Sequence, residues 1–164
     1  MSTLTGTTGN DTLFGSTASE IVVKGLAGND RLISQITNTT LTGNAGNDLL
    51  ELQNGDGSLV TINPGKGDDT VSISGMTTLA NLRIANNLGT SFNLGNDIFN
   101  FNTALGAVFL QGTMKAGDGN DTLNIANGVD MNGATIAMNV GVDQINVSAN
   151  TAVLFSNARI GAGQ

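Results

Sequence analysis

Seven aspartates recur in one local context and carry the densest possible chemistry in this 164-residue chain. The triplets are Gly9-Asn10-Asp11, Gly28-Asn29-Asp30, Gly46-Asn47-Asp48, Gly67-Asp68-Asp69, Gly95-Asn96-Asp97, Gly119-Asn120-Asp121 and Gly141-Val142-Asp143. Carboxylates beside glycine-rich turns are hard oxygen ligands, and the turns can add main-chain carbonyls. Little other chemistry is on offer. The chain has no Cys and no His, which removes thiol nucleophiles, Ser-His-Asp triads, Cys/His zinc sites and disulfides.

The aspartates need a scaffold, and the neighbouring columns describe one. Successive aspartates are 19, 18, 21, 28, 24 and 22 residues apart. Two residues after each stands Leu13, Leu32, Leu50, Val71, Phe99, Leu123 or Ile145. Four residues after come Gly15, Ser34, Leu52, Ile73, Phe101, Ile125 and Val147; seven before come Leu4, Val23, Leu41, Ile62, Thr90, Met114 and Ile136. Apolar spacing of two is strand periodicity. Each repeat reads as strand, turn, strand, turn, with segments such as Thr70–Ser74 and Ser58–Ile62 as the strands. Equivalent residues at equivalent phase favour coils lying on one another over a hairpin meander or an ordinary sandwich. Disorder fits poorly, because charged residues make up only 12% and hydrophobic ones 39%. The expected fold is all-β: a single-domain parallel β-solenoid over residues 1–164, about seven coils and, at ~4.8 Å per rung, roughly 35 Å long.

Stacking places like charges one strand spacing apart, where they repel unless neutralised. Ca²⁺ resolves this because it accepts six to eight oxygens in flexible geometry, whereas Mg²⁺ demands a rigid octahedron. The competing reading is a ladder of Asx turns and asparagines with no metal. Asp56, Asp118 and Asp130 read as solvated turn residues in either case.

The segments Gly6–Leu13, Gly25–Leu32 and Gly43–Leu50 follow Gly-x-x-Gly-Asn-Asp-x-Leu, which resembles the repeats-in-toxin (RTX) nonapeptide G-G-x-G-x-D-x-U-x. The resemblance runs with gaps from Leu4 to Val147. It implies a β-roll whose aspartates and loop carbonyls bind Ca²⁺, in a protein exported by type I secretion. The metal ligands implied are Asp11, Asp30, Asp48, Asp69, Asp97 and Asp121, with Asp143 the weakest, and the backbone of Gly9, Gly28, Gly46, Gly67, Gly95 and Gly119. No repeat keeps both leading glycines: Gly6, Gly25 and Gly43 supply the first, Gly65 and Gly117 the second. The opposite turn, Gly15–Glu20 for instance, is degenerate, so one row of at most six ions is expected.

The formal charge of −7 argues against nucleic acid and anionic membranes as partners. The apolar stretch Ala104–Leu110 is too short to cross a bilayer, and Met1–Asn10 has no cleavable export signal. Ile160-Gly161-Ala162 repeats the start of earlier coils, so an eighth turn is expected to begin there, uncapped. The rod then continues into a longer solenoid or stacks head to tail on its own copies.

The function expected is an extracellular or cell-surface Ca²⁺-binding structural module of a surface layer, matrix filament or adhesin, without enzymatic activity. The alternative is a non-catalytic RTX segment of a larger secreted enzyme or ice-binding adhesin. A catalytic β-helix would have to use Arg83 beside Asp97, and ice binding would need one residue type before every Gly-Asn-Asp. The residues there are Thr8, Ala27, Ala45, Lys66, Leu94, Asp118 and Val140.

Overall fold

The computed structural model describes residues 2–15, 21–85, 95–102, 111–126, 129–148 and 157–161. These residues form strands and no helix. Eight strands make one parallel sheet, in the order β1 (Ser2–Thr5), β3 (Ile21–Ala27), β5 (Thr40–Ala45), β7 (Thr61–Lys66), β9 (Arg83–Ala85), β11 (Thr113–Lys115), β13 (Thr135–Ala137) and β15 (Arg159–Gly161). Seven make the other: β2 (Thr12–Gly15), β4 (Arg31–Ser34), β6 (Leu49–Gln53), β8 (Thr70–Ser74), β10 (Ile98–Asn102), β12 (Thr122–Ala126) and β14 (Gln144–Ser148). Each strand pairs with the strand two places along the chain, never with its sequence neighbour. The result is a parallel β-solenoid of about six turns.

Alternating side chains point between the two sheets and stack into apolar columns. Val23, Leu41, Ile62, Ile84, Met114 and Ile136 line the first sheet; Leu32, Leu50, Val71, Phe99 and Leu123 face them from the second, all 1% exposed or less. Leu52, Ile73, Phe101 and Ile125 add a further column. Ile84 corrects the sequence reading. It pairs with Ile62 on one side and Met114 on the other, in the place that counting back from Asp97 assigned to Thr90. The surplus of the 28-residue step lies after β9, so a fixed offset from the aspartate overshoots the strand; Thr90 itself lies outside the described residues. Ser34, fully buried in an otherwise apolar column, is within 3.3 Å of Thr39 Oγ1 and accepts the Ile36 N–H at 3.3 Å.

The corner opposite the aspartates varies in length yet closes in one way. Two residues before β5, β7, β9, β11, β13 and β15 stand Asn38, Leu59, Asn81, Gln111, Gly133 and Asn157, all with φ between 51° and 69°. Asn and Gly adopt this left-handed conformation readily; a branched apolar side chain does not. Leu59 is also 58% exposed, so it gains little from burial. Leu59→Asn is expected to stabilise the fold by about 0.5–1 kcal/mol, read as a small rise in thermal midpoint; an unchanged or lower midpoint would show that no strain is relieved.

Candidate metal centre

The aspartate corner joins the first sheet to the second, immediately before β2, β4, β6, β8, β10, β12 and β14. Its glycines allow the turns to nest. A Cβ on Gly46 or Gly67 would overlap the carbonyl oxygen of the matching glycine one turn earlier, Gly28 or Gly46. The carbonyls of this glycine column therefore lie against the α-carbon of the next turn.

Two hydrogen-bond ladders run along the corner in opposite senses. In the asparagine column the later turn donates: Asn29 N–H to Asn10 Oδ1 (2.8 Å), Asn47 to Asn29 (2.9 Å) and Asp68 to Asn47 (3.1 Å). The ladder continues with Asn96 N–H to Asp68 Oδ1 (2.8 Å), Asn120 to Asn96 and Val142 to Asn120 (both 2.9 Å). Asp68 thus serves as an asparagine surrogate. In the aspartate column the earlier turn donates: the N–H groups of Asp11, Asp30, Asp48, Asp69 and Asp97 each reach Oδ1 of the next aspartate at 2.8 Å. Asp121 N–H completes the row to Asp143 Oδ1 at 2.9 Å. The structure therefore brings all seven sequence-predicted aspartates into one column.

That ladder accounts for Oδ1 of Asp30, Asp48, Asp69, Asp97, Asp121 and Asp143. Asp30, Asp48, Asp69, Asp97 and Asp121 are only 1–2% exposed. Oδ2 of Asp30, Asp48, Asp69 and Asp121 is buried without a hydrogen-bond partner. Asp11 differs, because its Oδ2 accepts the Thr7 N–H (2.6 Å) and hydroxyl (2.9 Å). An unpaired buried carboxylate oxygen is costly, and a proton or a cation must answer it. Burial is the main cause that pushes Asp48 and Asp121 up to about 6, Asp69 to about 7 and Asp97 to about 8. Neighbouring carboxylates add to the rise, while the N–H from the preceding turn works against it.

Among the described residues no three acidic side chains converge, so a cation here would depend on main-chain oxygens. Those oxygens are present. Asp30 Oδ2 and the Gly43 carbonyl lie against the Gly25 α-carbon, and Asp48 Oδ2 and the Pro64 carbonyl against that of Gly43. An unpaired carboxylate oxygen beside a carbonyl of the next turn suits a hard cation such as Ca²⁺. The sequence reading missed Gly25, Gly43 and Pro64 as oxygen donors; the first-position glycines were its only trace of them.

Asp56 and Asp130 form local turns, accepting the N–H groups of Ser58 (2.8 Å) and Asn132 (3.0 Å). Asp118 bridges Val140 through the backbone. Arg83 is exposed on the outer face of β9 whereas Asp97 is buried at the corner, so the two do not share a surface.

Comparison with protein families matches the RTX calcium-binding nonapeptide repeat in four copies, over residues 2–20, 25–59 and 113–131. Comparisons with curated proteins and with solved structures gave no match. The matched segments contain Asp11, Asp30, Asp48 and Asp121, and the hydrogen-bond ladder places Asp69, Asp97 and Asp143 in the same column. RTX nonapeptide repeats are calcium-binding and occur in type I-secreted extracellular proteins. Residues 2–20, 25–59 and 113–131 thus carry RTX calcium-binding repeats, and the parallel β-solenoid sets their aspartates on one corner.

Proposed function

We propose that the chain is a non-catalytic extracellular module, part of a surface layer, matrix filament or adhesin, that becomes rigid when Ca²⁺ occupies its aspartate corner. The observation that carries this reading is the buried, unpaired Oδ2 of Asp30, Asp48, Asp69 and Asp121. Such a column opposes folding where Ca²⁺ is scarce and favours it where the ion is abundant, because binding free energy becomes folding free energy. Synthesis inside the cell followed by folding outside it, after type I secretion, is consistent with that dependence. The solenoid fold is a structural one, and Arg83, exposed on β9, does not share a surface with the buried Asp97.

The rod extends by further rungs, from a second copy set head to tail or from the rest of a longer solenoid. Ile145, Val147 and Ile160 support this: they continue the inward columns yet are 36%, 45% and 47% exposed, an apolar surface that another rung would cover. Far-UV circular dichroism at neutral pH tests the calcium reading. A strong β spectrum in millimolar Ca²⁺ and its loss in excess EDTA are expected; an unchanged spectrum after chelation would refute it. Electron microscopy of the same two samples reads out end-to-end growth.

A further inference from the structure

Winding gathers onto one sheet the cations that lie far apart in this acidic chain. Lys24, Arg83, Lys115 and Arg159 flank Val23, Ile84, Met114 and Ile160 of the inward column, so they stand on the outer face of β3, β9, β11 and β15. Lys66 ends β7. All five are exposed. None of the eight strands of this first sheet contains Asp or Glu. The sixth cation of the chain, Arg31, lies on the second sheet and pairs with Glu51, which is the one salt bridge among the described residues. The remaining acids fall on the two corners, save Glu20, which lies outside the described residues.

The register sets hydroxyls between these charges. Thr40, Thr61, Arg83, Thr113, Thr135 and Arg159 pair one with the next along a single row of the face. Lys24 pairs with Thr42, and Lys115 follows Thr113 by two residues on the same strand. From β3 to β15 the cations cover six rung steps, roughly 29 Å of the rod at ~4.8 Å per rung. Each threonine hydroxyl both donates and accepts hydrogen bonds. The net charge of −7 does not cancel this surface. Packed sheets lie ~10 Å apart, and exposed charges beyond a Debye length of about 8 Å are largely screened. A partner at this face therefore meets local positive charge.

We infer that the outer face of the first sheet docks a carboxylate-bearing polysaccharide, laid along the rod with its carboxylates on Lys24, Arg83, Lys115 and Arg159 and its hydroxyls on the threonines. A linear polymer with a charge on every ring or two suits single cations set a rung or more apart, and guanidinium groups take carboxylates bidentately. Duplex DNA carries one charge per ~1.7 Å and calls for a denser array, while single strands are held by aromatic stacking. The chain has no Trp and no Tyr. A second copy of the chain matches less well: among the described residues its exposed carboxylates are Asp56 and Asp68, on opposite corners. The face lies apart from the aspartate column, so the inference adds a partner to the reading above and does not depend on an ion being bound there.

Fluorescence anisotropy of end-labelled hyaluronan oligosaccharides, titrated with the full chain in millimolar Ca²⁺ and with the fold checked by circular dichroism, tests it. Saturable binding that weakens with added salt is expected, and none to labelled dextran. Arg83→Gln combined with Lys115→Gln should lower the affinity about fivefold or more, since individually weak exposed contacts add along a polymer. Lys24→Gln combined with Arg159→Gln should act likewise. Arg31→Gln, which removes a cation from the other sheet, should leave the affinity unchanged. Absence of saturable binding, or an equal loss in Arg31→Gln, would overturn the inference. So would tighter binding to oligothymidylate or to phosphatidylglycerol vesicles than to hyaluronan. Self-association at low salt that the Arg83→Gln, Lys115→Gln pair abolishes would also overturn it, and would assign the face to a second copy.

Discussion

Stripped of calcium, the solenoid is expected to melt at a markedly lower temperature at pH 8 than at pH 4.5. The ordinary aspartate value is 3.8, and burial lifts Asp48 and Asp121 to about 6, Asp69 to about 7 and Asp97 to about 8. Between pH 4 and pH 8 the folded chain therefore keeps protons that the unfolded chain has released. Stability that depends on those protons is complete below about pH 4 and is lost as pH rises through 6, 7 and 8. The four groups lie in one column, so their contributions are lost together over that range. Calcium favours the ionised carboxylates, so saturating Ca²⁺ should weaken or reverse the trend. Thermal melts of metal-free protein at both pH values, repeated in Ca²⁺, are the measurement. A calcium-free midpoint that holds level or climbs toward pH 8 would mean that the buried carboxyls are not what limits the fold.

Gly46→Ala is expected to cost on the order of 3 kcal/mol or more even in saturating Ca²⁺, and Gly9→Ala less than about 0.5 kcal/mol. Both glycines occupy the same place in the triplet. Gly46 has φ of +128° and its added Cβ would overlap the Gly28 carbonyl oxygen and come within 2.6 Å of its carbon. Relief would require separating two turns that the Asn47 and Asp30 N–H groups hold together. The Cβ of an alanine at position 9 would meet only Thr7 Oγ1, at 3.7 Å. Urea denaturation of the two variants beside the parent chain separates these cases. Equal, small losses would show that the turns tolerate spacing apart, and that close nesting is not what the repeated glycine secures.

The contrast between these glycines shows the limit of reading a repeat by its consensus. Identical letters at positions 9 and 46 meet different surroundings, because only one has a turn stacked beneath it. The same limit explains Thr90 and Ile84. Offsets counted from the aspartate hold where the intervening chain is of constant length, and they fail in the 28-residue step. The opposite corner was illegible for a related reason. Leu59 and Gln111 occupy a left-handed position that Asn38, Asn81 and Asn157 fill conventionally, so backbone geometry recurs there without a recurring residue.

By itself the sequence determined the solenoid, its apolar columns and the aspartate row, because each is written as a side-chain type at a repeated spacing. Stacking in register turns such a pattern directly into columns. Tertiary structure alone decided which oxygens each aspartate has left to offer. Oδ1 of Asp48 and Asp69 is taken by the backbone of the preceding turn, whereas Oδ2 of Asp30 and Asp48 lies against a glycine α-carbon beside a carbonyl of the following turn. Those partners lie 18 to 28 residues away and are largely main-chain atoms, which every residue type carries alike. Residue identity does not encode them; only the stacking of one turn on the next brings them together.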